Sequence, residues 1–154
     1  ILVFIYFNFP NAKMFLGDSG AYLIGSFIAI SVINTSILNP NISPLFFCIL
    51  LFYLFFEVFF SFFRKLYQKK SPLKPDQNHL HMLSFRFLDK TGKFKDCNYI
   101  NSLLINLTFI VLIIPSIYFK NDGIFCRYWF FFLLALYIFF YLRLYSFVKK
   151  QFDI

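Results

Sequence analysis

The chain alternates long apolar runs with short polar breaks. Four runs, at 21–38, 42–63, 99–119 and 125–148, are each close to or above the roughly 20 residues that cross a bilayer as a helix. None shows the period-two alternation of a membrane strand. Each run must satisfy its own backbone hydrogen bonds in hydrocarbon, so all four are predicted as helices. Residues 1–9 are also apolar but too short to cross. They carry no basic leader and no small-residue cleavage site, so they read as the end of a further helix rather than a signal peptide. The expected fold is therefore all-α: a polytopic transmembrane bundle of about four full spans plus the end of a fifth. Residues 1–154 form a single membrane domain on this reading, and the chain is expected to be a C-terminal fragment.

The breaks carry ordinary punctuation. Asn39 and Pro40 mark the first turn, and 120–123 marks the last. Tyr118, Tyr128 and Trp129 flank that last turn as interface aromatics do. Pro115 is placed to kink the third run.

Composition strengthens the membrane assignment. Hydrophobic residues make up 60% and charged residues 14% of the chain, and a soluble fold of this size could not hide so much apolar surface. The net charge of +8 would suggest nucleic-acid binding in a soluble protein. Here it gathers in one loop, 64–98, with nine Lys and Arg against three Asp, between two spans. That excludes a nucleic-acid partner and marks the loop as cytoplasmic, next to the lipid bilayer. Counting crossings puts 10–20 and the tail with Lys149 and Lys150 on the same side. Cys48, Cys97 and Cys126 lack metal-ligand spacing and are expected to be free thiols.

Three places could carry chemistry. Asp18 starts a membrane helix between Gly17 and Gly20, where backbone can approach a ligand closely. Its carboxylate suits a hard cation such as Mg²⁺, and a helix N-terminus favours phosphate. The alternative is that Asp18 and Ser19 cap the helix. Asn11 and Lys13, just upstream, are candidate substrate contacts. The second place is the loop with Asp76, His79 and His81. The histidines are two apart, so they share a side in extended chain, unlike a helical zinc pair. With the nearby lysines they suit an anionic phosphate group; the alternative is a basic loop attracted to lipid headgroups. The third place is Glu57, an acid inside an apolar run. Glu57, Ser61 and Arg64 fall on one helical face, so Glu57 either serves function or pairs along that face with Arg64 or Lys65.

Taken together, these segments resemble the polyprenyl-phosphate glycosyl-1-phosphate transferases, glycosyltransferase family 4. Phe15-Leu16-Gly17-Asp18-Ser19-Gly20-Ala21-Tyr22-Leu23-Ile24-Gly25 resembles that family's F-M-G-D-x-G-S-x-x-L-G motif. Pro75-Asp76-Gln77-Asn78-His79-Leu80-His81-Met82 resembles its P-D-x-x-H-x-H-H motif, and Glu57 falls where the family has an acid ahead of that loop. The match runs to about Leu83, with only hydropathy in common beyond.

The resemblance implies an Mg²⁺-dependent enzyme, with Mn²⁺ as a substitute, in a bacterial cytoplasmic membrane. A polyprenyl phosphate such as undecaprenyl phosphate attacks the β-phosphorus of a UDP-sugar, and UMP leaves. It assigns Asp18 to the metal and to catalysis, and His79 and His81 to the loop that holds substrate phosphates. Asn11, Lys13, Gly17, Arg64 and Asp76 are carried over as substrate-binding positions. The spaced histidines look more like the N-acetylhexosamine-1-phosphate branch of envelope polysaccharide synthesis. The peptidoglycan branch, phospho-MurNAc-pentapeptide transferase, has three adjacent histidines and is the alternative. A non-catalytic scaffold or transporter subunit is the alternative of another class.

Ala21 and Met82 depart from the family pattern, each removing a polar group. The family's paired aspartates and its Asn/Asp-rich loop belong to its first half and do not occur here. The chain alone is therefore expected to be inactive, and to need a missing N-terminal half or a second copy.

Overall fold

A computed structural model of the chain describes residues 2–9, 13–72 and 74–152, with no account of the side chains of 151 and 152. Among these the structure is helical: α1 (Leu2–Asn8), α2 (Gly17–Leu38), α3 (Pro44–Leu50), α4 (Phe52–Tyr67), α5 (Leu80–Thr91), α6 (Cys97–Tyr118) and α7 (Gly123–Phe152). The predicted all-α class is what forms. Helices α2, α6 and α7 are long and apolar enough to cross a membrane, and the bent pair α3–α4 makes a fourth if it counts as one span. The chain divides into two compact units, 1–42 and 43–154.

In the first unit, α1 continues the apolar start of the chain and stops at Asn8. The Asn8 side chain donates to the Phe4 carbonyl at 3.0 Å and accepts the N–H groups of Lys13 and Met14 at 2.9 and 2.8 Å. One asparagine thus ends the helix and ties down the approach to Gly17. Helix α2 has no buried residue over its 22 residues, and its large apolar side chains, such as Tyr22, Leu23 and Phe27, face outwards. Both the backbone and the side chain of Asn39 donate to Thr35 O at 3.0 Å and close its C-terminus.

The second unit holds the core, built on Ile49, Phe52, Leu80, Leu83, Leu133, Tyr137 and Tyr141. Pro44 opens α3 at a position where its missing N–H costs nothing. The run predicted as one helix over 42–63 then breaks: α3 and α4 meet at 79° around Leu51. No Pro, Gly or Ser stands at the break, so none of the usual local causes of a sharp kink applies. Packing accounts for it. Ile49 and Phe52, on either side of Leu51, are both buried, and Phe52 stacks on Phe56 at 5.1 Å and meets Phe130 edge-on at 5.8 Å. Pro115 lies inside α6, which runs on to Tyr118.

Helix α4 is turned inside out relative to a soluble helix. Leu54, Val58 and Phe63 are more than 60% exposed, whereas Glu57, Ser61 and Lys65 are buried. An apolar outer face and a polar inner stripe are what lipid selects. The helix ends in a Schellman turn. Lys70 N–H bonds Lys65 O at 2.9 Å and Lys69 N–H bonds Leu66 O at 3.0 Å, with Lys69 at φ 54° in the place glycine usually takes.

The 64–98 loop contains a helix that its sequence pattern did not announce. Helix α5 buries Leu80, Leu83 and Leu88 on one face and ends at Gly92, φ 61°, a left-handed cap.

The two ends of the second unit can be told apart by their hydrogen bonds. Ser43 N–H, before α3, bonds Lys120 O in the α6–α7 turn at 2.9 Å. Asn101, near the start of α6, donates to His81 O at 2.8 Å. Along α6 these points are roughly 25 Å apart at about 1.5 Å per residue. The α3–α4 pair and the loop after it therefore travel most of the length of α6.

Candidate functional site

Residues 72 and 74–80 fold back along α4, and α4 holds them in reverse order. Lys65 Nζ donates to Pro72 O at 3.0 Å and Lys74 O at 2.5 Å. One residue earlier on the helix, Arg64 pairs with Asp76 and also donates to Ser61 Oγ at 3.3 Å. Two turns earlier still, Glu57 Oε1 stands 2.9 Å from His79 Nδ1 and accepts Leu80 N–H at 3.0 Å. Glu57, Arg64 and Lys65 of α4 thus fix the histidine loop rung by rung.

Glu57, Ser61 and Arg64 do share the predicted face. The predicted pairing of Glu57 along its own helix with Arg64 or Lys65 does not form, because both cations face the loop. Glu57 is compensated by His79, by a backbone N–H and by the hydroxyl of Tyr137 on α7, which donates to Oε2.

Helix α7 closes the other side. Tyr141 donates to Asn78 O at 3.0 Å, and its ring lies 5.7 Å from the Arg64 guanidinium carbon. Asp76 Oδ1 accepts Asn78 N–H at 3.1 Å, which shapes the turn just before His79.

The two histidine rings stack in parallel, with centroids 5.6 Å apart and planes at 13°. His79 is in extended backbone and His81 in the first turn of α5, so the pair shares a side although only the first is extended. The Nδ1 of His79 faces Glu57, and the Nδ1 of His81 lies 3.5 Å from Tyr53 Oη. The backbone carbonyl of His81 is held by Ser84 and by Asn101.

Burial pushes the His81 imidazole below its ordinary value, with help from the neighbouring His79 charge and against the pull of Glu57. Burial pushes the Asp76 carboxyl up, but the Arg64 hydrogen bond and charge and the Asn78 N–H outweigh it and hold the group low. Both shifts leave the folded chain with fewer bound protons than the unfolded one. Their stabilisation is present at neutral pH and is lost on acidification. It falls first below 6.5 as pH passes through the lowered His81 value, then below 3.8 for Asp76. Thermal unfolding of the detergent-solubilised protein should show a falling midpoint from about pH 6.5 downwards. His81→Asn should flatten the first part of that fall. A midpoint that rises on acidification would contradict the assignment.

In the first unit, Asp18 lies in the first turn of α2 and is exposed. The predicted alternative of a helix cap is not what forms: the N-cap position is Leu16, and no side-chain cap bond is made. Gly17 has φ +69° with open space around its α-carbon, so glycine is required there for backbone conformation rather than for room. Lys13 is exposed, and Asn11 lies outside the described residues. Among the described residues, no three His, Cys, Asp or Glu side chains gather as a metal cluster. At this helix start Asp18 offers a hard cation an exposed carboxylate, which fits an ion that keeps water and phosphate oxygens as its other ligands.

Local reading missed Tyr53, Ser84, Asn101, Tyr137 and Tyr141. For the α7 pair a signal existed: Tyr137, Tyr141 and Tyr145 recur every four residues in an apolar run, and their rings stack at 6.3 and 6.0 Å. A file of hydroxyls on one face of a membrane helix points to polar partners inside.

Comparison with known proteins gives a family match and a curated relative. The family described as Glycosyl transferase family 4 matches residues 1–36. The undecaprenyl-phosphate alpha-N-acetylglucosaminyl 1-phosphate transferase of Thermotoga maritima is 32% identical over 133 residues, covering 86% of this chain. The chain spans 39% of the length of that relative. No solved structure gives a significant match. The chain is thus similar to glycosyl transferase family 4 over 1–36, where the glycine–aspartate helix start lies, and to the Thermotoga maritima transferase over most of its length.

Proposed function

We propose that this chain contributes to the transfer of N-acetylglucosamine 1-phosphate, or a closely related N-acetylhexosamine 1-phosphate, from a UDP-sugar to a polyprenyl phosphate, with release of UMP. The observation that carries the reading is the histidine pair: two parallel rings whose Nδ1 sides face inward groups, in a loop held from α4 by Glu57, Arg64 and Lys65. So much fixed structure behind two imidazoles fits the binding of a charged group better than a loop resting on lipid headgroups. Met82 in place of a third histidine favours the N-acetylhexosamine branch over the peptidoglycan branch.

In this scheme His79 and His81 hold substrate phosphate, and Arg64 and Asp76 shape the loop that presents them. Asp18 supplies a carboxylate to Mg²⁺, which, when bound, neutralises the pyrophosphate and polarises the phosphorus under attack. Gly17 keeps the backbone beside Asp18 open. Asn11 and Lys13 lie upstream on the same polar stretch. Membranes carrying this chain together with its N-terminal half, given labelled UDP-N-acetylglucosamine, undecaprenyl phosphate and Mg²⁺, should form a labelled butanol-soluble product and UMP in equal amounts. Label that stays water-soluble, with no UMP formed, would remove the reading.

The chemistry needs both motifs on the cytoplasmic side, where a nucleotide sugar is found. The distance that α3–α4 travels along α6 supports counting the pair as one crossing, and α2 as another. Single cysteines at Lys13 and Lys74, in a background without Cys48, Cys97 and Cys126, should then both resist a membrane-impermeant maleimide added outside and react in inverted vesicles. Opposite behaviour of the two positions would make α3–α4 a re-entrant segment and separate the motifs.

A further inference from the structure

We propose that Tyr137 is a positioning residue for His79: acting through Glu57, it holds the imidazole with its proton on Nδ1 and keeps Nε2 for the substrate phosphate. The inference rests on the assignment of His79 to phosphate holding made above.

Glu57 is buried within an apolar helix, where an uncompensated carboxylate is costly. Three donors satisfy it: the His79 ring nitrogen and Leu80 N–H on Oε1, and the Tyr137 hydroxyl on Oε2. A carboxylate can only accept, so it selects the imidazole form that carries hydrogen on Nδ1. The other nitrogen, Nε2, is then left for a ligand: it accepts the hydrogen of a protonated phosphate, and in the imidazolium it donates to a phosphate oxygen. His79 keeps 28% of its side chain exposed.

What fixes the carboxylate is α7. Tyr137 is 4% exposed, and its ring is gripped edge-on by Phe56 at 4.8 Å and Phe60 at 5.4 Å. Its hydroxyl position is set by packing and is not free to follow the carboxylate. Rotating Glu57 away from it would unseat His79 Nδ1 and the first N–H of α5 together. Tyr141, one turn further on, holds Asn78 O, the carbonyl immediately before His79. His79 is thereby bracketed: the residue before it by α7, its ring and the residue after it by Glu57, and Glu57 by α7 again. Groups that orient a ligand-holding histidine in this way, by its distal nitrogen, typically change function about 10- to 100-fold when removed.

Tyr137→Phe keeps the ring and its packing and deletes only the hydroxyl. In the protein as the cell makes it, labelled with ¹⁵N-histidine and held in nanodiscs at alkaline pH, His79 should show hydrogen on Nδ1. Tyr137→Phe should show a mixture of both tautomers, with the His81 signals unmoved as the check on folding. In the UMP-release assay the same variant should lose about 10- to 100-fold in kcat with the KM for UDP-sugar within about twofold. Because Tyr137 acts through Glu57, the double variant Tyr137→Phe/Glu57→Gln should be no slower than Glu57→Gln alone. A wild-type tautomer pattern in Tyr137→Phe, or losses that multiply in the double variant, would overturn the inference. The two readings fail separately. A tautomer that depends on Tyr137 in a protein that releases no UMP removes the transferase reading alone. UMP release with a tautomer indifferent to Tyr137 removes this one alone.

Discussion

Asp18→Asn is expected to lower UMP release by about 10²- to 10³-fold while the protein still inserts and runs as a single species in detergent. The side chain keeps its shape and loses its charge. Asp18 makes no cap bond in α2, so its replacement removes no capping hydrogen bond and costs the helix only a modest charge–dipole interaction. A hard cation, by contrast, loses the one carboxylate this motif offers it. Raising Mg²⁺ should recover part of the activity, because weakened binding is partly offset by mass action. Gly17→Ala makes a useful contrast. Its φ of +69° puts an alanine in left-handed backbone with no steric neighbour, so the cost of about 1–2 kcal/mol is conformational. That variant should lose stability as well as activity. Turnover of Asp18→Asn equal to the parent would take Asp18 out of the metal site.

Asp76→Ala is expected to destabilise the second unit by about 3 kcal/mol, or roughly 6–12 °C in unfolding midpoint. The reason lies in Arg64. Its side chain is 9% exposed, and Nε and Nη1 have no partner among the described residues. Asp76 is the counter-charge, and Ser61 contributes only a 3.3 Å bond. Removing Asp76 leaves a guanidinium out of water beside the Tyr141 ring. Removing both charges should cost much less, because the desolvation penalty disappears with the pair. Arg64→Met/Asp76→Leu should therefore recover most of the lost midpoint, while transfer activity stays low because the turn at Asn78 loses its Asp76 acceptor. A double variant as unstable as Asp76→Ala would show that the side chains matter for packing and not as a pair.

The two variants differ in what they test. Asp18 is exposed and its loss should register in turnover. The Asp76 side chain is only 10% exposed, and its loss should register in folding, with turnover following. Measuring both quantities on both proteins separates chemistry from architecture without a bound ligand.

Much of this protein was legible along the chain. The apolar runs set the helical class and the number of candidate spans, because hydrocarbon leaves the backbone few alternatives. The local spacing of Gly17, Asp18 and Gly20, and of Asp76, His79 and His81, marked the candidate sites. Even the shared face of Glu57, Ser61 and Arg64 followed from helical periodicity alone. What the tertiary structure decided was partnership. Glu57 could have paired along its own helix, and the pattern 57–61–64 gave no reason to prefer residues 22 and 80 positions away, His79 and Tyr137. The break at Leu51 carries no proline or glycine and exists because Ile49 and Phe52 are both drawn into the core. Helix α5 forms where an apolar face, Leu80, Leu83 and Leu88, finds α6 and α7 to cover it. Local pattern constrains which face is polar and how long an element runs. Which polar group compensates which buried charge depends on elements that meet only after the chain has folded.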